Sequence, residues 1–186
     1  MDVAAHAITL ISIIIGLGLT EMFAKLYRLI RNRRRVRWDY LPLAWVFTLF
    51  LLVLNFWWFL FLRLEGSAQT GTVADFGIIL VPPILLFVAT ASVLPDFSGE
   101  DDWDMRRDYD EQRRVILVTL ALYQVSTFAT ALAIGRFSWD FLAIVRLAIL
   151  ALIVAVLLSK SRRWDWLAVV AMLAVLFFRL STQVVR

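Results

Sequence analysis

The chain has no cysteine and one histidine, His6. Without thiols there is no disulfide, no thiolate metal site and no cysteine nucleophile. A single imidazole argues against a haem held by two histidines, a structural zinc site or a Ser-His-Asp triad. Lysine is almost absent too, at positions 25 and 160 only. Neither lies inside an apolar run, which argues against a retinal-type Schiff base. Charge is scarce: 18% of residues are charged, against about one quarter in soluble domains.

What fills the chain instead is apolar. Of 186 residues 62% are hydrophobic, and mean hydropathy is +0.81. The charges cluster between long apolar runs, the composition of a polytopic membrane protein. The net charge of +4 is no argument for nucleic acid, because the cations sit beside the runs, where membrane topology and anionic headgroups account for them. Eight Trp and 14 Phe fit interfacial belts and lipid contact.

A span needs roughly 20 apolar residues to cross ~30 Å of hydrocarbon. Six segments qualify, at about 3–23, 41–62, 76–94, 115–134, 141–158 and 166–185, which predicts a single all-α transmembrane bundle over 1–186. The first run is too long for a secretory signal and lacks a cationic start and a small-residue cleavage site, so it is expected to stay as a span. Its extension is basic and amphipathic, with Lys25, Arg28, Arg31, Arg33, Arg34, Arg35 and Arg37. The loops at 24–40, 95–114 and 159–165 hold 14 of the 19 cations. These loops are expected in the cytoplasm and both termini outside, in an inner membrane if the source is bacterial. Lipid is the expected partner, with anionic headgroups at Lys25 to Arg37.

Trp38-Asp39-Tyr40-Leu41, Trp139-Asp140-Phe141-Leu142 and Trp164-Asp165-Trp166-Leu167 repeat one pattern at the starts of spans two, five and six. The simpler reading is Asp as helix cap and Trp at the headgroup level. The other is an inverted repeat relating spans 1–3 to 4–6. Three features carry a family likeness: GLGLTE at Gly16 to Glu21, VRWDYLPLAW at Val36 to Trp45, and the Asp-x-Arg…Tyr…Arg-Arg pattern from Asp104 to Arg114. In these the chain resembles a family of small, uncharacterised bacterial membrane proteins with about six spans. The resemblance implies a six-helix fold and no activity or cofactor.

Polar groups inside spans are costly and invite explanation. The fourth span carries Thr119, Tyr123, Ser126 and Thr130 on one face, flanked by Gln124 and Thr127, and the second carries Asn55. They can line a hydrated path, or hydrogen-bond between helices at ~0.6 kcal/mol per contact. Hydroxyls also bond their own helix backbone. Thr9, Ser12, Gly16 and Thr20 form a small-residue face on the first span, suited to close packing within the chain or to a second copy in a homo-oligomer. Glu21 precedes Lys25 in the favourable i,i+4 order and is expected to form a boundary ion pair rather than a buried ion site.

Arg146 lies one and a half turns into the fifth span and can reach the outer surface. Arg179 is ~20 Å along the sixth span, within the outer half of the bilayer. Asp75, Asp140, Glu65 and Asp2 are the candidate partners on that side, with Asp75 at the head of the third span expected first, in a structural pair or an anion path. Pro82 and Pro83 predict a kink in the third span, where freed carbonyls line a site in some transporters. His6 reads as an interfacial residue. The loop acids Asp96, Glu100, Asp101, Asp102, Asp104, Asp108, Asp110 and Glu111 lack an EF-hand spacing. They are expected to pair with the arginines at 33–37 and with Arg106 and Arg107, docking two loops. Three function classes follow. A channel or transporter is favoured because costly polar groups recur in several spans. An accessory or scaffolding subunit is the alternative, and an intramembrane enzyme lacks a catalytic set.

Overall fold

The computed structural model describes residues 3–64, 73–96, 103–133, 139, 141–159 and 161–182. It contains six helices: α1 (Val3–Arg31), α2 (Tyr40–Leu64), α3 (Val73–Ser92), α4 (Met105–Ala133), α5 (Phe141–Leu158) and α6 (Arg162–Thr182). Four include stretches long and apolar enough to cross a membrane: Ile8–Arg31, Tyr40–Trp58, Met105–Ala133 and Arg162–Ser181. The apolar stretches of α3 and α5, Phe76–Ser92 and Ala143–Leu158, are shorter. The chain is therefore a helical bundle compatible with an integral membrane protein.

Neighbours around the bundle run α1, α3, α4, α5, α6, α2 and back to α1, and α2 also touches α3 and α4. This central position makes α2 the most buried of the long apolar helices, with Leu41, Trp45 and Leu49 fully enclosed. The α1–α3 contact is close because of Gly18, where a Cβ would lie 2.6 Å from Thr90 Oγ1 and 3.2 Å from Phe87 Cα. Gly16 has open space around it. The small-residue face of α1 thus does not make this contact: Thr9, Gly16 and Thr20 are exposed. Among the described residues helices α4 and α6 share no contact comparable with α1–α3.

All three predicted cytoplasmic loops hold regular structure that a reading of apolar runs does not suggest. Helix α4 begins at Met105, ten residues before its apolar run, because Asp104 Oδ1 accepts from the backbone N–H groups of Arg106 and Arg107 at 3.0 and 3.3 Å. This first stretch, 105–114, carries seven charges and projects beyond the apolar part. Helix α6 likewise begins at Arg162, inside the predicted loop. Between α1 and α2 a single 3-10 turn at Arg33–Arg35 leads into strand β1 (Val36–Arg37). This strand pairs in parallel with β2 (Trp103–Asp104), Val36 opposite Trp103 and Arg37 opposite Asp104.

The two loops dock through this backbone pairing; Glu100, Asp101 and Asp102, three of the acids expected to meet the arginines at 33–37, lie outside the described residues. Of the loop acids described, Glu111 meets Arg107 as expected, within α4, while Asp96 meets Lys25 and Asp104 caps α4. Beneath the ladder, Trp45 Nε1 donates to the Tyr109 hydroxyl at 2.9 Å. Tyr109 is 2% exposed. Burial, then the nearby Asp165 charge, pushes its phenol well above the usual range. Pro82 and Pro83 sit in a helix that continues through them, both buried.

Candidate functional site

The polar groups of the bundle separate into two sets. One set pins the helix ends where β1 and β2 lie. Lys25, 6% exposed, donates to the Ala91 carbonyl at 2.7 Å in the last turn of α3. It also pairs with Asp96 at 3.1 Å and Glu21 at 3.8 Å. A cation is favoured there because the orphan carbonyls at a helix C-terminus carry partial negative charge. The expected Glu21–Lys25 pair is present, and Lys25 departs from the expectation that it faces lipid headgroups. Asp108 lies nearby on α4. Burial first, then repulsion from Glu111 and Asp96 against attraction from Lys25, pushes its carboxyl up to about 6.

Arg113 does for α5 what Lys25 does for α3. One terminal nitrogen of its guanidinium donates to the carbonyls of Val156 and Ser159, at 2.7 and 2.8 Å. Its Nε meets both oxygens of Asp165 at 2.9 and 3.0 Å. Burial pushes the Asp165 carboxyl up, with Arg113 opposing. Asp39 shows the predicted capping, accepting from the Leu41 N–H at 3.0 Å, and its other oxygen takes Arg162 of α6. Asp165 does not cap: α6 starts three residues before it, so its carboxylate serves Arg113. Asp140 lies outside the described residues.

The second set lies deeper. Asn55, Tyr123, Gln124, Thr127, Arg146 and Arg179 line one cavity of about 50 Å³, together with apolar residues that include Leu52, Ile153, Met172 and Leu176. The cavity lies between α2, α4, α5 and α6. Counted from the pinned end, Asn55 is ~24 Å above Asp39, Arg179 ~21 Å above Asp165, and Tyr123 and Arg146 ~15 Å above Arg113 and Val156 at 1.5 Å per residue. All fall within the thickness of a hydrocarbon core. Asn55 is 3% exposed, and its Nδ2 is buried with no hydrogen-bond partner. Arg146 thus lines an interior cavity rather than only reaching outward. The Tyr123 ring meets Phe56 edge to face at 6.2 Å.

Six of the residues singled out in the sequence therefore converge: Asn55, Tyr123, Gln124, Thr127, Arg146 and Arg179, the Thr127 hydroxyl being committed to the Gln124 carbonyl. The others do not. Ser126 donates to the Tyr123 carbonyl, and Thr130 to the Ser126 carbonyl and, at 3.4 Å, to Ile78 of α3. The polar face of α4 largely satisfies itself. Thr119 is buried, while Glu21, Pro82 and Pro83 are not among the cavity residues. The side chains of Asp75 and His6 lie outside the described residues, and so does the proposed Arg179–Asp75 pair. Among the described residues no group of three acidic or histidine side chains forms a metal site. Arg113 and its four hydrogen bonds escaped the sequence reading, although Arg-Arg directly before an apolar run was a visible signal. Comparison with protein-family models, curated proteins and solved structures finds no match.

Proposed function

We propose that the chain is a small transport-type protein, a channel or transporter, spanning the membrane six times with both termini outside. The observation that supports it is the polar cavity between α2, α4, α5 and α6, lined by Asn55, Tyr123, Gln124, Arg146 and Arg179. Such groups are expensive at this depth unless they meet water, each other or a ligand. A bundle built only for support has no need to gather five of them around one space. The arginines at 28, 31, 33, 34, 35 and 37 are exposed. In this reading they hold the cytoplasmic side against anionic headgroups, as in a bacterial inner membrane. The exposed Thr9, Gly16 and Thr20 face of α1 suits a second copy.

The test is reconstitution into proteoliposomes with a potential-sensitive dye. Ion or solute flux through the wild type, reduced at least tenfold by Asn55→Leu at equal incorporation, is the expected result. No flux for any ion or small solute overturns the reading. Release from the native membrane with foreign subunits attached, seen by native mass spectrometry, then favours the accessory role.

A further inference from the structure

We infer that the cavity between α2, α4, α5 and α6 is a buried hydration site, which binds a small cluster of ordered water anchored on the Asn55 amide. The inference uses the cavity of the reading above and does not need transport through it. Asn55 is 3% exposed, and its Nδ2 has no hydrogen-bond partner among the described residues. An amide N–H buried without a partner is costly, and the great majority of buried polar groups meet either protein or ordered water. Asn55 lines the cavity, so an acceptor for its amide has to be held there.

The chemistry of the lining suits water without fixing a charge. Asn55, Tyr123 and Gln124 each donate and accept, and so does water. A water that accepts from Asn55 Nδ2 has two hydrogens left for the acceptor oxygens of its neighbours. The Thr127 hydroxyl donates to the Gln124 carbonyl at 2.7 Å and keeps its oxygen as one of those acceptors. Arg146 and Arg179 have other interactions in the bundle, and the assignment needs neither of them free. Size agrees as well: about 50 Å³ is room for a few waters. Cavities that stay dry have apolar walls, whereas six polar side chains share this one. A lipid acyl chain would cover Leu52, Ile153 and Leu176 but leave the Asn55 amide unpaired.

The experiment exposes the purified full chain in lipid nanodiscs to short X-ray pulses and reads side-chain oxidation by mass spectrometry. Hydroxyl radicals made from bound water react where they form, so a buried methionine becomes sulfoxide quickly only beside such water. Met172, 4% exposed, lines the cavity, whereas Met22 and Met105, 0% and 1% exposed, do not. Met172 should be oxidised at least tenfold faster than either. Asn55→Leu should slow Met172 at least fivefold and leave Met22 unchanged. Equal rates at the three methionines of the wild type overturn the inference, whether or not the variant folds. An unchanged Met172 rate in folded Asn55→Leu also overturns it, because water would then be held without Asn55. Flux separates this from the transport reading. Fast Met172 oxidation without flux supports the hydration site and overturns transport. Flux with Met172 as slow as Met22 supports transport and overturns the hydration site.

Discussion

Arg113 offers the sharpest test of how the bundle is held. Its side chain is 16% exposed and that of Asp165 only 3%. Replacing it with alanine leaves the Asp165 carboxylate buried without its partner, and leaves the Val156 and Ser159 carbonyls without theirs. Removing one member of a buried ion pair costs about 3–5 kcal/mol, because the remaining charge keeps its desolvation penalty. The two carbonyls lie at a helix end, where water can replace some of the lost bonding, so the total should stay within that range. Arg113→Lys keeps the charge but loses the fork, and one ammonium cannot reproduce both the Nε contact to Asp165 and the bonds to the carbonyls. It should cost about 1–3 kcal/mol.

The assay is unfolding of the purified protein in mixed micelles by increasing SDS, followed by tryptophan fluorescence. Asp165→Asn in the Arg113→Ala background removes the stranded charge and should recover about 2 kcal/mol of the loss. The exposed Arg107–Glu111 pair, at 83% and 65% side-chain exposure, is the control. Arg107→Ala should change stability by less than about 1 kcal/mol. A loss below about 1 kcal/mol for Arg113→Ala, or no recovery in the double variant, would refute the reasoning that this cation ties α4 to the α5–α6 turn.

Three further outcomes are expected in the same unfolding assay. Gly18→Ala should destabilise by about 1–3 kcal/mol, since the Phe87 backbone cannot move away without parting α1 from α3, whereas Gly16→Ala, in open space, should be neutral or stabilising by up to about 1 kcal/mol. Lys25→Met keeps the apolar stem but strips the cap from α3, and should cost about 2 kcal/mol, with Glu21→Gln nearly silent because its side chain is 41% exposed. Asp108 has a folded-state pKa of about 6 against an ordinary value of 3.8, so the native state favours its protonated form. Stability is then greatest below pH 4 for this group and falls as pH rises towards 6. Asp108→Asn should flatten that fall relative to wild type, and an unchanged pH slope would show that Asp108 does not contribute.

The helices, and several of their ends, were readable from the sequence because their causes are local. Asp39 before Tyr40 is a cap wherever the chain goes, and Glu21 four residues before Lys25 stays on one helix face. The start of α4 was missed for an equally local reason. Residues 105–114 contain no apolar run, so a search for membrane spans passes over them, although Asp104 followed by ten residues without Gly or Pro is a helix start. Asp165 misled in the opposite direction. Its Trp-Asp context matches that of Asp39, but Ser161 precedes it and α6 begins at Arg162. An acid in the first turn is then free for a side-chain partner, and which partner depends on the fold.

The cavity shows where local causes stop being enough. Depth along a helix can be counted, and counting places Asn55, Arg179 and Arg146 at similar heights in a bundle of alternating direction. Neighbours cannot be counted. Height along the span says nothing of which helices are neighbours: α6 packs against α2 and α5, and α3 chiefly against α1 and α4. The ring order therefore gives Arg179 the company of Asn55 from α2 and Arg146 from α5. That order is imposed at the other end of the molecule. Arg162 on Asp39 ties α6 to α2, and Arg113 ties the α5–α6 turn to α4. These four helices are the ones that enclose the cavity. The charged contacts at the pinned end thus hold together the helices whose polar groups line the cavity, and the gathering of Arg146 and Arg179 with the buried Asn55 amide goes with contacts made ~15–24 Å away.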